Sequence, residues 1–142
     1  MQMFTPSKII VHHSLTKDNQ TVSWGAIRRY HKEHCGWIDI GYHAGVELVY
    51  TEYEVFFGRS WDIPGAHTRG INDTSLGIVF VGNYDNFPPS EKMLDAGSVI
   101  IRLWMKLYNI PGEAVLPHRD FAGYKSCPGR MFRMEDLWKR LK

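Results

Sequence analysis

Cysteine is scarce in this sequence, because only Cys35 and Cys127 occur among its 142 residues. Two cysteines cannot form the dense disulfide framework that stabilises many small secreted domains. The simplest interpretation makes Cys35 a small buried hydrophobic residue, and a Cys35–Cys127 disulfide is the alternative. The fold must therefore be stabilised by a hydrophobic core, which a chain of this length is able to bury.

Strong charge and long apolar runs are also missing. The formal net charge is only +2, and the largest basic concentrations are Arg28–Arg29 and Lys139–Arg140, so no nucleic-acid partner is expected. No apolar run approaches the length of a transmembrane helix, and the initial segment Met1–Lys8 lacks the apolar region of a signal peptide. We therefore expect a monomeric protein in the cytoplasm, without membrane insertion.

Apolar residues are abundant, with a hydrophobic fraction of 44% and an aromatic fraction of 13%. These values are typical of a compact globular protein, and we expect a single domain over residues 1–142. The apolar residues recur with alternating strand-like and helix-like periods, and the sequence has no internal repeats. This alternation predicts an α/β protein with a central mixed β-sheet covered by helices.

The same periodicity predicts the individual elements. Strands are expected over residues 8–13, 44–50, 53–58, 76–81 and 114–116. Ser23 is expected to cap a helix that ends near His34, and the longest helix is expected to begin near Ser90 and end at about Tyr108. Its predicted core residues are Met93, Gly97, Ile100, Trp104, Leu107 and Tyr108. A C-terminal helix is predicted from the spacing of Met134, Leu137, Trp138 and Leu141.

The loop after the last predicted strand contains His118, Lys125 and Cys127. Zinc binds imidazole nitrogen and thiolate, and a catalytic zinc has three protein ligands and one open position. The loop can provide two ligands, and the end of the first strand can provide a third. Because His12 and His13 point to opposite faces of that strand, only one of them can face a given site. The alternative is structural: a hydrogen-bonded loop histidine, a buried thiol and a strand histidine bonded to backbone.

Five motifs strengthen the interpretation as a zinc site. They are Val11–Ser14, Gly36–His43, Gly65–His67, Asn72–Ile78 and His118–Pro128. In this order they resemble the zinc-dependent N-acetylmuramoyl-L-alanine amidases of the amidase-2 and peptidoglycan-recognition-protein superfamily, above all the small phage lysozymes of amidase type. The resemblance extends from about Ile9 to the C-terminal helix. It implies a mixed β-sheet with helices on both sides and a Zn²⁺ ion in a surface cleft.

The resemblance also implies the roles of individual residues. His12, His118 and Cys127 match the family's metal ligands, whereas Tyr42 and Lys125 match its catalytic tyrosine and lysine. Lys125 is expected to stabilise the oxyanion. Tyr42 is expected to orient water and relay protons, since a phenol with a pKa of about 10 is a poor base. Without the resemblance, Tyr42 would be interpreted as a packing aromatic and Lys125 as a solvated loop charge.

Two further histidines and the overall function have alternative interpretations. His67 is expected either to bind substrate in the cleft or to be a structural turn histidine, and His43 to support the site from behind. Three functions stay open: a phage or prophage endolysin that cuts peptidoglycan between the lactyl group and L-alanine, a cytoplasmic recycling amidase for soluble muropeptides, and a non-catalytic peptidoglycan-binding module. Cys127 favours an enzyme, because binding-only relatives commonly lose this ligand, and the small chain favours the lytic type.

Overall fold

The computed structural model describes residues 3–14 and 23–142. The strands are β1 (Lys8–His13), β2 (Ala44–Val49), β3 (Glu52–Phe57), β4 (Ser75–Phe80) and β5 (Val115–Pro117). The helices are α1 (Trp24–Arg29), α2 (Glu91–Tyr108) and α3 (Met134–Trp138), with short helical turns over Tyr30–His34, Gly112–Ala114 and His118–Asp120. The first two residues of Met1–Lys8 lie outside the described residues. Within the described ranges, no helix is long and apolar enough to cross a membrane.

The five strands form one mixed sheet in the order β3-β2-β4-β1-β5. The pairs β2–β4, β4–β1 and β1–β5 are parallel, and β2–β3 is an antiparallel hairpin. The predicted mixed sheet is therefore confirmed. Since β1 and β5 are adjacent and parallel, their carboxyl ends lie side by side. This arrangement brings His12, in β1, close to His118, which directly follows β5.

Helices cover both faces of this sheet, as predicted. Ile78 and Phe80 of β4 pack in the main core with residues of α2 such as Trp104. Val79 lies between them in sequence, and because side chains alternate along a strand it packs on the opposite face with Trp24 of α1. His12 pairs with Val79 in the sheet register, so the imidazole of His12 projects from the face that α1 partly covers.

Three details of the sequence interpretation are wrong. Leu107 is exposed, because the buried stripe of α2 continues through Trp104 to Tyr108 and leaves Leu107 at its edge. The hairpin turn begins one residue earlier than expected, where Tyr50 adopts a left-handed conformation with φ of 58°. Cys35 is exposed after the helical turn instead of buried, and neither Cys35 nor Cys127 is in a disulfide.

Candidate metal and catalytic site

His12, His118 and Cys127 are buried and lie together, with one ligand atom from each within 4.8 Å of the others. His12 Nδ1 is 3.8 Å from Cys127 Sγ. Tetrahedral zinc with ordinary bond lengths would separate a nitrogen and a sulfur ligand by about 3.6 Å. The donor set and this distance therefore fit a metal held by three protein ligands. No other such group of histidine, cysteine or acidic residues occurs in residues 3–14 and 23–142.

The loop between His118 and Cys127 folds back on itself, which is why two residues nine positions apart can share a site. Arg119 N–H donates to the Cys127 carbonyl oxygen at 2.8 Å, and the Arg119 guanidinium donates to the Gly129 carbonyl oxygen at 3.2 Å. On the strand side, His13 N–H donates to Cys127 Sγ at 3.3 Å. These bonds attach the thiol to the end of β1, beside His12.

His12, His118 and Cys127 are called the ligand group below. The His13 side chain is not part of it. Its Nδ1 accepts a hydrogen bond from Tyr84 N–H at 3.2 Å. Burial lowers the pKa of His13 to about 4, so the ring is neutral at physiological pH, as this acceptor role requires. Because side chains alternate along β1, the His12 imidazole lies on the face next to Cys127, and the His13 imidazole lies on the opposite face next to Tyr84.

The orientation of the His12 ring depends on His67. His12 Nε2 is 3.0 Å from His67 Nδ1 and 3.3 Å from Thr68 Oγ1. Burial, and next the neighbouring His43, lower the pKa of His67 to about 3, so His67 is neutral. If His12 Nε2–H donates to His67, the lone pair of His12 Nδ1 is left facing Cys127, as a metal ligand requires. No motif in the sequence predicts this contact.

His43 lies behind His67, with ring centres 5.8 Å apart. Its Nδ1 accepts from Gly77 N–H at 3.0 Å, and its Nε2 donates to the Ile63 carbonyl oxygen at 2.9 Å. Burial lowers the pKa of His43 to about 4, which keeps the ring neutral. With both ring nitrogens hydrogen-bonded to backbone, His43 can pack against His67 as part of the fixed structure beneath the site.

The ligand group lies in a cleft of about 600 Å³, and the other candidate residues line the same cleft. The Tyr42 ring is 5.1 Å from the His12 ring, and burial raises the pKa of Tyr42 above its ordinary value. Lys125 is exposed at the rim, with its Nζ 5.8 Å from the centre of the Tyr124 ring. Burial and then the Lys125 charge lower the pKa of His118 to about 4. The cleft thus combines neutral imidazoles, a protonated phenol and one ammonium group.

Comparison with known proteins identifies the family of this chain. Residues 2–130 match the family model described as N-acetylmuramoyl-L-alanine amidase. The chain belongs to this amidase family. The endolysin of Klebsiella phage KP32 is 34% identical over 141 residues, which cover 94% of this chain and 86% of the phage protein. The resemblance inferred from the motifs, and the amide-hydrolase activity it implies, are therefore confirmed.

Two solved structures have the same fold as this chain. The N-acetylmuramoyl-L-alanine amidase LysC from Clostridium intestinale superposes with a TM-score of 0.83 at 26% identity, covering 99% of this chain and 90% of LysC. The Drosophila peptidoglycan recognition protein PGRP-LB superposes with a TM-score of 0.78 at 28% identity, covering 99% of this chain and 86% of PGRP-LB. The fold is thus shared by bacterial amidases and by animal recognition proteins.

A glycine in β4 leaves the space that the His67 ring occupies. A Cβ atom added at Gly77 would lie 2.5 Å from His67 Cγ. We therefore expect Gly77→Ala to displace His67 from His12 and to lower the free energy of unfolding by about 1–3 kcal/mol, the usual effect of overpacking. Urea denaturation measures this loss, and metal analysis of the folded variant should detect weaker metal retention.

Gly25→Ala is the matched control, because an added Cβ at Gly25 meets nothing within 4 Å. Gly25 lies in α1, where alanine should raise the free energy of unfolding by about 0.5–1 kcal/mol. Unchanged stability and metal content in Gly77→Ala would contradict the conclusion that the contact between His67 and His12 supports the metal site.

Proposed function

We propose that this chain is a zinc-dependent endolysin that hydrolyses the amide bond between the lactyl group of N-acetylmuramic acid and L-alanine in peptidoglycan. The observation that carries the proposal is the group formed by His12, His118 and Cys127, which faces a cleft in a chain of the amidase family. The phage endolysin among its relatives favours a lytic role, since the two sequences align over nearly their full lengths.

The chemistry of the donor set favours zinc. Imidazole nitrogen and thiolate sulfur are ligands of zinc, whereas magnesium and calcium prefer oxygen. In the metal-free protein burial raises the pKa of Cys127 to about 12, so a bound cation is needed to stabilise the thiolate. A bound zinc ion supplies a Lewis acid that polarises a carbonyl and lowers the pKa of a coordinated water to about 7. His67 would hold His12 in the tautomer that leaves Nδ1 free as a ligand.

Lys125 and Tyr42 have complementary roles in this proposal. The Lys125 ammonium at the rim of the cleft supplies a positive charge for the oxyanion that develops as the amide carbonyl is attacked. Tyr42 is protonated at neutral pH because burial raises its pKa, so it does not act as a simple base. Its hydroxyl instead orients the attacking water and relays a proton from that water to the leaving L-alanine amine, which leaves the phenol protonated at the end of the step.

The rim of the cleft suits an anionic polymer. Two exposed cations, Lys125 and Arg130, line the cleft together with one carboxylate, Asp85, which lies 3.9 Å from Arg130 Nε. The whole chain has a net charge of +2. Positive charge around a cleft increases the local concentration of an anionic substrate such as the bacterial wall. Added salt should weaken this attraction, because the Debye length is about 10 Å at 0.1 M ionic strength.

Digestion of purified sacculi tests the proposed bond specificity. We expect release of stem peptides with a free L-alanine amine, detected by mass spectrometry, while the glycan strands stay uncut. A muramidase provides the control for new reducing ends. New reducing ends produced by this protein would contradict amide hydrolysis.

Two other outcomes would assign the chain to the alternatives. Rapid cleavage of soluble anhydro-muropeptides without activity on sacculi would indicate a recycling enzyme. Binding to sacculi without any cleavage, in protein loaded with zinc, would indicate a recognition module.

A further inference from the structure

A single carboxylate outside the ligand group holds both ends of the segment that contains Cys127. Asp85, which follows β4 and borders the cleft, accepts a hydrogen bond at Oδ2 from Ser126 Oγ at 3.0 Å. Its Oδ1 accepts a second bond from Arg130 N–H at 2.8 Å. Ser126 directly precedes Cys127 and Arg130 follows three residues later, so the ligand lies in a short segment closed by Asp85. Both oxygens of the Asp85 carboxylate therefore accept hydrogen bonds from this loop.

The neighbouring residue Tyr84 makes backbone contacts to the same loop and to β1. Its carbonyl oxygen accepts from Met131 N–H at 2.8 Å. Gly129 has φ of 127° and packs so closely that an added Cβ would lie 2.4 Å from the Tyr84 carbonyl. On the other side, Tyr84 N–H donates to His13 Nδ1 at 3.2 Å. Tyr84 and Asp85 therefore connect the loop that carries one ligand to the strand that carries another.

We propose that Asp85 is a positioning residue that holds Cys127 Sγ at metal-binding distance from His12. It acts through Ser126 and Arg130, whose hydrogen bonds fix the course of the backbone on both sides of the ligand. The inference rests on the proposed zinc site. Replacing a residue that orients a metal ligand commonly weakens metal binding, although that residue does not contact the metal itself.

The test is the zinc dissociation constant of the full-length protein, measured by competition with a chromophoric chelator. Asp85→Ala removes both hydrogen bonds, and we expect zinc binding to weaken about tenfold to hundredfold, as for other residues that support metal ligands. Asp85→Asn should restore nearly normal affinity, because its amide oxygen can accept from Arg130 N–H and its amide nitrogen can donate to Ser126 Oγ. Ser126→Ala removes one bond and should give an intermediate loss. If Asp85→Ala does not fold, the zinc affinity of Ser126→Ala still tests the proposal.

Asp62→Ala is the matched control, since it removes an aspartate that accepts a hydrogen bond from Ser60 on an exposed loop. Its zinc affinity should equal that of the wild type. Wild-type affinity in both Asp85→Ala and Ser126→Ala would overturn this inference alone. Equal losses in Asp85→Ala and Asp85→Asn would also overturn it, because charge rather than hydrogen-bond geometry would then be responsible. Failure of the wild-type protein to bind zinc would overturn the proposed function, and this inference with it.

Discussion

Replacing His12 with alanine is expected to abolish both zinc retention and amidase activity. His12 Nδ1 is 3.8 Å from Cys127 Sγ, and no other imidazole belongs to the ligand group except that of His118. Loss of a ligand should weaken zinc binding more than the roughly tenfold to hundredfold effect of changing a supporting residue. Cys127→Ser should act in the same direction, because a hydroxyl is a poor substitute for a thiolate. Metal analysis after gentle purification should give about one zinc per wild-type chain.

His13→Ala and His34→Ala are the controls for His12→Ala. The His13 ring bonds the Tyr84 backbone and not the ligand group, so its loss should reduce zinc affinity much less. His34 is exposed and stacks on Tyr30, so its replacement should have no effect on zinc binding. A larger loss in His13→Ala than in His12→Ala would contradict the assignment of the two faces of β1. Full activity of metal-free protein would contradict the zinc mechanism itself.

Lys125→Ala is expected to lower kcat by about a hundredfold to a thousandfold while zinc content stays unchanged. The substitution removes the ammonium group proposed to stabilise the oxyanion, and loss of one such donor has effects of this size. Tyr42→Phe should also lower kcat and retain zinc, because it removes the hydroxyl but preserves the ring beside His12. Initial rates on defined muropeptides, together with metal analysis, separate a catalytic loss from a loss of metal.

Lys92→Ala is the matched control for Lys125→Ala. Lys92 is exposed on α2 and does not line the cleft, so its replacement should leave kcat unchanged. An unchanged kcat in Lys125→Ala would remove this lysine from the catalytic group. Loss of zinc in Tyr42→Phe would instead indicate that the hydroxyl supports the metal site.

The sequence predicted those features that depend on local pattern. A short β-branched run predicted β1 at its observed bounds, Lys8–His13, because a strand buried on both faces is apolar along its length instead of alternating. The predicted cap at Ser23 is present, since its side chain accepts a hydrogen bond from Ala26 N–H at 3.2 Å. The family resemblance carried by the motifs named His12, His118 and Cys127, and the structure brings one possible ligand atom from each within 4.8 Å of the others.

The tertiary structure alone decided the features that depend on contacts between distant segments. His67 contacts His12 across 55 residues of sequence, and Asp85 reaches Ser126 across 41. Local periodicity specifies which face of an element is buried, but it does not specify which loops meet above that face. The sequence therefore determined which segments form strands and helices and which side chains carry the nitrogen and sulfur atoms that can bind a metal. The packing of two loops on the carboxyl end of β1 decided how these atoms are oriented, because hydrogen bonds between loops form only after the sheet has brought them together.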